Sequence, residues 1–194
     1  MFLETAETVV LKGDCTRCFV ALEVDDEVKD KLAGLIEKIK ALGVEGTFPS
    51  RGQLHITLAF LGELNEEEAN EKISVLKTVS FPAFEFEVRG VGFFPNRNFV
   101  RTAWAGVGAG SQEVRKIQAI VSDFLGHEED RPFVPHVALA RIRTRKNVEK
   151  LLGLQEEHEE EVFGRSKASS IVFKKSTLTP NGPVYEDLET IKLI

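Results

Sequence analysis

Apolar and polar positions recur along this chain regularly enough to lay out its elements before any chemistry is considered. Residues 17–22 form a short apolar run that reads as a buried strand. Asp25 and Asp26 are N-cap candidates for the next helix, in which Val28, Leu32, Leu35, Ile36, Ile39 and Leu42 recur at helical spacing and Gly43 supplies the stop. A loop with Gly46, Pro49 and Gly52 follows, and residues 54–61 read as a strand. Asn65 with Glu68 forms a capping-box variant opening a helix through Ile73 and Leu76. Phe84, Phe86 and Val88 then alternate as in a half-buried strand.

The second half repeats this order. Residues 101–107 read as a strand, and Ser111 as the cap of a helix carrying Val114, Ile117, Ile120, Val121, Phe124 and Leu125. A strand over 136–142, a short helix near Val148, Leu151 and Leu152, and a strand around 171–173 complete the repeat, with closing segments around 161–167 and 184–191. Each half is strand, helix, histidine strand, helix, strand. The local sequence agrees with a duplication. Leu54-His55-Ile56-Thr57-Leu58-Ala59-Phe60 matches Pro135-His136-Val137-Ala138-Leu139-Ala140-Arg141 at the histidine, the following β-branched residue, the leucine and the alanine.

Alternation along a strand puts His55, Thr57 and Ala59 on one face and Ile56, Leu58 and Phe60 on the other. His136, Ala138 and Ala140 likewise share a face, opposite Val137 and Leu139. Each imidazole is flanked on its own face by small residues, which leaves room for a ligand. Two such strands can present two imidazoles to a shared cleft, where one takes a proton as the other gives one. Hydrolysis of a phosphodiester needs both operations, and Thr57 adds a hydroxyl for a phosphate oxygen. No metal or cofactor is required by this chemistry. His127, near a helix end, and His158, in the acidic run of residues 156–161, read as surface residues.

Composition narrows the setting. The 194 residues suit one compact domain or one built from two similar lobes, and carry a net charge of −6. This acidity argues against broad coating of nucleic acid but permits a small pocket for one anionic terminus. No apolar run reaches membrane-span length, and residues 1–16 do not read as a secretion signal. The expected setting is therefore cytoplasmic, without membrane contact and as a monomer. Cys15 and Cys18 are the only cysteines; their C-x-x-C spacing lacks a second ligand pair and a helix start, so they read as incidental.

At this point the sequence resembles the 2H phosphoesterase superfamily, and more narrowly the RNA 2′,3′-cyclic phosphodiesterases, historically called 2′-5′ RNA ligases. The resemblance runs from about Arg17 to Leu193. Its residues are Arg17-Cys18-Phe19-Val20-Ala21, the first motif through Leu61-Gly62, Phe94-Pro95, the run from Arg101 through Trp104 to Gly106, the second motif through Arg141, and Ser176 to Glu186. It implies a bilobal α+β fold over residues 1–194, with helices outside two antiparallel sheets and a cleft between them, and with residues 1–16 as an N-terminal extension. It implies opening of a 2′,3′-cyclic phosphate to a 2′-phosphate, with His55 and His136 as the acid–base pair and Thr57 as a phosphate contact.

Ala138 departs from the family, which usually has Thr or Ser there. The lost hydroxyl removes one phosphate hydrogen bond. Arg141 matches a family arginine linked to the active site, although simple alternation places it opposite His136 unless a bulge intervenes. Phe94 is the best candidate for stacking on a base; Phe48 and Phe60 are weaker, alternation favouring core packing for Phe60, and Trp104 reads as core. The expected partners are RNA termini or small cyclic nucleotides. Alternatives are a two-histidine esterase acting on a cyclic nucleotide or an ADP-ribose cyclic phosphate, a non-catalytic RNA-binding module with a degraded site, and RNA joining by the reverse reaction.

Overall fold

Every apolar run picked out by periodicity becomes a strand or helix in the computed structural model of the chain, which describes residues 15–127, 131–180 and 182–194. The first half runs β1 (Thr16–Glu23), α1 (Asp26–Ala41), β2 (Gly46–Thr47), a 3-10 turn (Arg51–Gln53), β3 (His55–Leu64), α2 (Glu66–Leu76) and β4 (Phe84–Asn96). The second runs β5 (Phe99–Val107), α3 (Ser111–Leu125), β6 (His136–Ile142), α4 (Val148–Glu157), β7 (Val162–Ala168), β8 (Ser170–Thr179) and β9 (Gly182–Lys192). The expected N-terminal extension falls mainly on residues 1–14, outside the described residues.

Local chemistry accounts for the helix boundaries. Asp25 sits at the α1 N-cap in extended backbone, and its N–H donates to Ser166 Oγ, tying the helix start to β7. Gly43 takes the left-handed conformation (φ 73°) that ends the helical path just beyond α1. Asn65 and Glu68 form the reciprocal capping box read from sequence. At α3 the cap is Gly110, and Ser111 is the first helical residue. The loop enters there in a left-handed turn that serine disfavours.

The strands form one curled antiparallel sheet in the order β7-β4-β5-β6-β3-β1-β8-β9, with β2 added beside β6. The fold is α+β, and the two expected sheets are the two halves of this order. They meet between β3 and β6 through a single ladder pair, Ile56 with Val137. A pseudo-twofold relation through that seam exchanges β3 with β6, β1 with β5, β8 with β4 and β9 with β7. The sequence repeats are therefore intertwined: β4, the last strand of the first repeat, pairs with β5 of the second, and β8 returns to pair with β1. The helices cross over too. α1 packs on β6 and β7, and α3 packs on β3 and β4. Ile56, Leu58, Val137 and Leu139 are fully buried, with Val28, Leu32, Ile39, Val114, Ile117 and Val121 of the helices in the same core.

The two histidine strands carry the same irregularity. Along β1 and β3, Val20 pairs with Ala59 but Ala21 pairs with Thr57, leaving Leu58 as an extra residue. Along β5 and β6, Ala103 pairs with Ala140 but Trp104 pairs with Ala138, leaving Leu139 extra. A bulge of this kind reverses the facing of everything beyond it. Ala59 and Ala140, expected beside the histidines, are instead fully buried. Phe60, expected in the core, is 57% exposed.

Ile56→Ala at the seam is expected to lower the unfolding free energy by about 2–5 kcal/mol in urea denaturation, because the cavity opens where both halves and their helices meet. A loss under about 0.5 kcal/mol, the level of a neutral surface change, would show that the seam does not hold the halves together.

Candidate active site

On the sheet face away from the helices lies a cavity of about 950 Å³ whose lining includes His55, Thr57, Phe94, His136 and Arg141. All five residues singled out in the sequence thus reach one space. The seam explains the meeting of the histidines. With Ile56 opposite Val137, the register sets His55 across from Ala138 and His136 across from Thr57. The two histidines are then diagonal neighbours, about 7–8 Å apart in an ideal ladder. Arg141 reaches the cavity because of the β6 bulge; the simple alternation that placed it on the other face fails at Leu139.

The two rings are held in parallel ways. His136 Nδ1 lies 2.7 Å from the carbonyl oxygen of Val134, two residues upstream. His55 is hydrogen-bonded by the backbone of Gln53, again two residues upstream, and its Nε2 lies 3.1 Å from Thr57 Oγ1. An Nδ1–H donated to a carbonyl leaves Nε2 as the nitrogen open to other partners. Around His55, Phe19 stacks at 5.0 Å between centroids and Tyr185 meets the ring edge-on at 5.5 Å. Around His136, Phe94 meets the ring edge-on at 4.8 Å and Trp104 lies 6.1 Å away.

Burial in these aromatic sleeves disfavours the imidazolium. It pushes His55 down to about 4, with the nearby Glu23 carboxylate offsetting part of the effect. Burial also lowers His136, against the upward pull of its hydrogen bond to Val134. Glu23, the cross-strand partner of His55, accepts from Lys29 at 2.6 Å and Lys174 at 2.8 Å. Burial works to raise its carboxyl, but the two lysines outweigh burial and hold it below its ordinary value. Lys174 in turn lies 2.5 Å from Asp187.

Several expectations need correction. Trp104 is half-buried on the cavity side of β5, its ring tilted against Phe94 with centroids 5.1 Å apart, and is not a core residue. Its facing follows from its pairing with Ala138. His158 is 3% exposed, with Nδ1 against the Glu161 carboxylate. The run of glutamates around it reads as solvated, but the end of α4 folds the imidazole inward beside Phe163. His127 follows the α3 C-terminus and is partly exposed. Cys18 is buried, which pushes its thiol up to about 11, and Cys15 is exposed. Phe19 and Tyr185 escaped the sequence reading. Alternation from Glu23 back to Phe19 was the available signal for the first; Tyr185 arrives from β9, which no local pattern links to His55.

The LigT like Phosphoesterase family matches residues 22–104. The chain is 33% identical over 173 residues to the RNA 2′,3′-cyclic phosphodiesterase of Methanocaldococcus jannaschii, spanning 88% of this chain and 96% of the relative. It is 37% identical over 166 residues to the protein of that name from Aeropyrum pernix, spanning 84% and 94%. The chain belongs to the LigT-like phosphoesterases. The fold of this LigT-like chain superimposes on E. coli LigT in its apo form with a TM-score of 0.77 at 18% identity, covering 93% of this chain and 99% of that one. As a 2H phosphoesterase it is an enzyme, and its two H-x-x-Φ strands are the ones that meet at the seam.

Within this LigT-like cleft, Gly92 decides where Trp104 lies. The two residues are cross-strand partners, and a Cβ at Gly92 would stand 2.2 Å from the indole ring. Gly92→Ala is expected to displace Trp104, and with it Phe94 and the packing around His136. Trp104 is the only tryptophan, so intrinsic fluorescence reads the change directly. An emission spectrum identical to the parent's would show that the glycine is dispensable.

Proposed function

We propose that this enzyme hydrolyses RNA 2′,3′-cyclic phosphate termini to 2′-phosphates, using His55 and His136 as an acid–base pair without a metal. The observation that carries this reading is the convergence of two half-buried imidazoles, each oriented through a backbone carbonyl, on one cavity with Thr57 and Arg141. The curated relatives bearing the name RNA 2′,3′-cyclic phosphodiesterase support the choice of substrate.

In this reading the cyclic phosphate sits between the two rings. One neutral imidazole takes a proton from water as the water oxygen bonds to phosphorus. The other, protonated, gives its proton to the 3′ oxygen as the P–O3′ bond breaks. The product is a 2′-phosphomonoester and a free 3′-hydroxyl, and the proton count closes. Attack and departure lie on opposite sides of phosphorus, which suits two bases related by a pseudo-twofold. Thr57 Oγ1 and the Arg141 guanidinium contact non-bridging oxygens, the arginine offsetting charge that grows there. Phe94 buttresses His136 and presents its remaining face to the nucleoside. Ala138, the counterpart of Thr57, contributes no hydroxyl, so one phosphate contact is missing.

Incubation of the enzyme with EDTA and an RNA bearing a 2′,3′-cyclic phosphate is expected to yield a 2′-phosphate end. His55→Ala and His136→Ala, folded by circular dichroism, are each expected to lose at least about 100-fold in kcat, the scale of general acid–base catalysis. Undiminished turnover in either variant would remove that histidine from the chemistry. Ala138→Thr is expected to raise kcat/KM by about tenfold or more, one hydrogen bond to a charged group; a sharp fall would mean the contact lies elsewhere.

The pH profile follows from burial. Both free-enzyme imidazoles are lowered, so the base stays active, and the acid becomes scarce, at lower pH than for exposed histidines. The bell for kcat/KM is therefore expected to peak below about 6.5, the ordinary histidine value. An anionic phosphate between the rings favours their protonation, so the kcat bell lies at higher pH. A kcat/KM optimum above 7 would contradict depressed histidines in the free enzyme.

A further inference from the structure

The net charge of −6 conceals a local concentration of cations at one end of the sheet. Arg97 is neutralised by Glu156 and Lys146 by Glu45. Among the described residues, Arg101, Arg141, Arg143 and Arg145 have no carboxylate within ion-pair distance, and all four are exposed. Arginines without counter-charges, close together in an acidic protein, repel one another. They are tolerated at little cost only where solvent or an anionic ligand screens them.

Their arrangement follows the sheet. Arg141 lines the catalytic cavity opposite Thr47, which lines it too. The ladder continues one step further, where the Arg143 N–H donates to the Glu45 carbonyl at 2.8 Å. With Ile142 buried between them, Arg143 stands on the same side as Arg141 and continues its row out of the cavity. At the same end of the sheet the β4–β5 hairpin presents Phe99, a 40% exposed ring. The Arg101 guanidinium lies 4.6 Å from its centroid and that of Arg145 lies 5.6 Å away. Thr102, the residue after Arg101, pairs with Arg141 and lines the cavity; alternation turns Arg101 to the other face, so the Phe99 cluster stands beside the cavity at the end of the sheet without lining it.

We infer, building on the RNA-end chemistry proposed for the cleft, that Arg101, Arg143, Arg145 and Phe99 form a ledge that binds the single-stranded RNA leading into the reacting terminus. The chemistry matches that ligand. Unpaired guanidinium groups take successive phosphates, and an exposed ring clamped by arginines offers a stacking surface for any base. A sequence-tolerant ledge suits an enzyme whose reacting group is the cyclic phosphate, present at the end of any cleaved RNA. The acidic remainder of the surface repels the strand elsewhere. The ledge makes an RNA oligonucleotide a better substrate than a cyclic mononucleotide, which occupies only the cavity.

The test compares hydrolysis of an oligonucleotide of about six nucleotides with a 2′,3′-cyclic phosphate end, a length within single-strand site sizes, with that of 2′,3′-cyclic AMP. It uses the full chain and the variants Arg143→Gln/Arg145→Gln and Phe99→Ala. Binding of the same sequence ending in a 3′-phosphate is measured by fluorescence anisotropy across a salt series. The parent is expected to favour the oligonucleotide. Both variants are expected to lose roughly tenfold in kcat/KM on it while hydrolysing cyclic AMP at the parent rate. The double variant also lowers the salt slope of binding by about 1.4, two phosphates' worth for a single strand. Equal binding and hydrolysis of the oligonucleotide by parent and variants would overturn the ledge and leave the cleft chemistry standing. Failure of the parent to hydrolyse either substrate would overturn the cleft chemistry, and the anisotropy series would still decide the ledge.

Discussion

One ladder pair, Ile56 with Val137, joins the two halves of the sheet, and the site depends on it. Each partner is the residue that follows a histidine in its motif. Fixing that pair fixes the two imidazoles as diagonal neighbours on one face, while the pair itself sits in the core at zero exposure. A seam of one pair also lets β3 and β6 splay apart, which opens a cavity of about 950 Å³ on the side away from the helices. The helices supply the cohesion that the missing ladder bonds do not. α1 and α3 each pack beneath the histidine strand of the other repeat, so apolar burial locks the halves together from behind.

The matched bulges at Leu58 and Leu139 are the second structural device. Each turns the fifth residue after its histidine onto the cavity side. The frame is symmetric but the delivered side chains are not: β3 brings Phe60 and β6 brings Arg141. Thr57 and Ala138 differ in the same way. A pseudo-twofold cleft with equal sides would accept a phosphate in either direction. A cation on one side and an aromatic ring on the other make the two directions energetically different.

The electrostatics follow the same division of labour. The histidines are sleeved by Phe19, Tyr185, Phe94 and Trp104, and burial disfavours their charged form in the free enzyme. Beside His55, Glu23 is committed to Lys29 and Lys174, so its charge is compensated and the imidazole keeps its lowered basicity. Among the described residues, positive charge without an ion-pair partner lies at the end of β6 and just beyond it, at Arg141, Arg143 and Arg145.

Much of this was legible in the sequence. Element order, the duplication, the α1 and α2 start signals and the two histidine strands all rest on local periodicity and capping, which a single chain segment carries within itself. The convergence of His55, Thr57 and His136 was also inferable, because matched motifs imply equivalent places in matched halves. What the tertiary structure alone decided concerns facing and partnership. Alternation put Phe60 in the core and Arg141 away from the cavity, and both assignments reverse because a bulge depends on pairing with a neighbouring strand. Trp104 reads as core, yet its facing is set by Ala138 across the ladder and its seat by the absent side chain of Gly92. His158 was read as solvated from its acidic neighbours, yet the end of α4 turns it inward. Tyr185 reaches His55 only because β9 lies beside β8. Periodicity reports one strand's own two faces; which face meets the core, and which distant residue completes a site, is fixed by contacts between segments far apart in the chain.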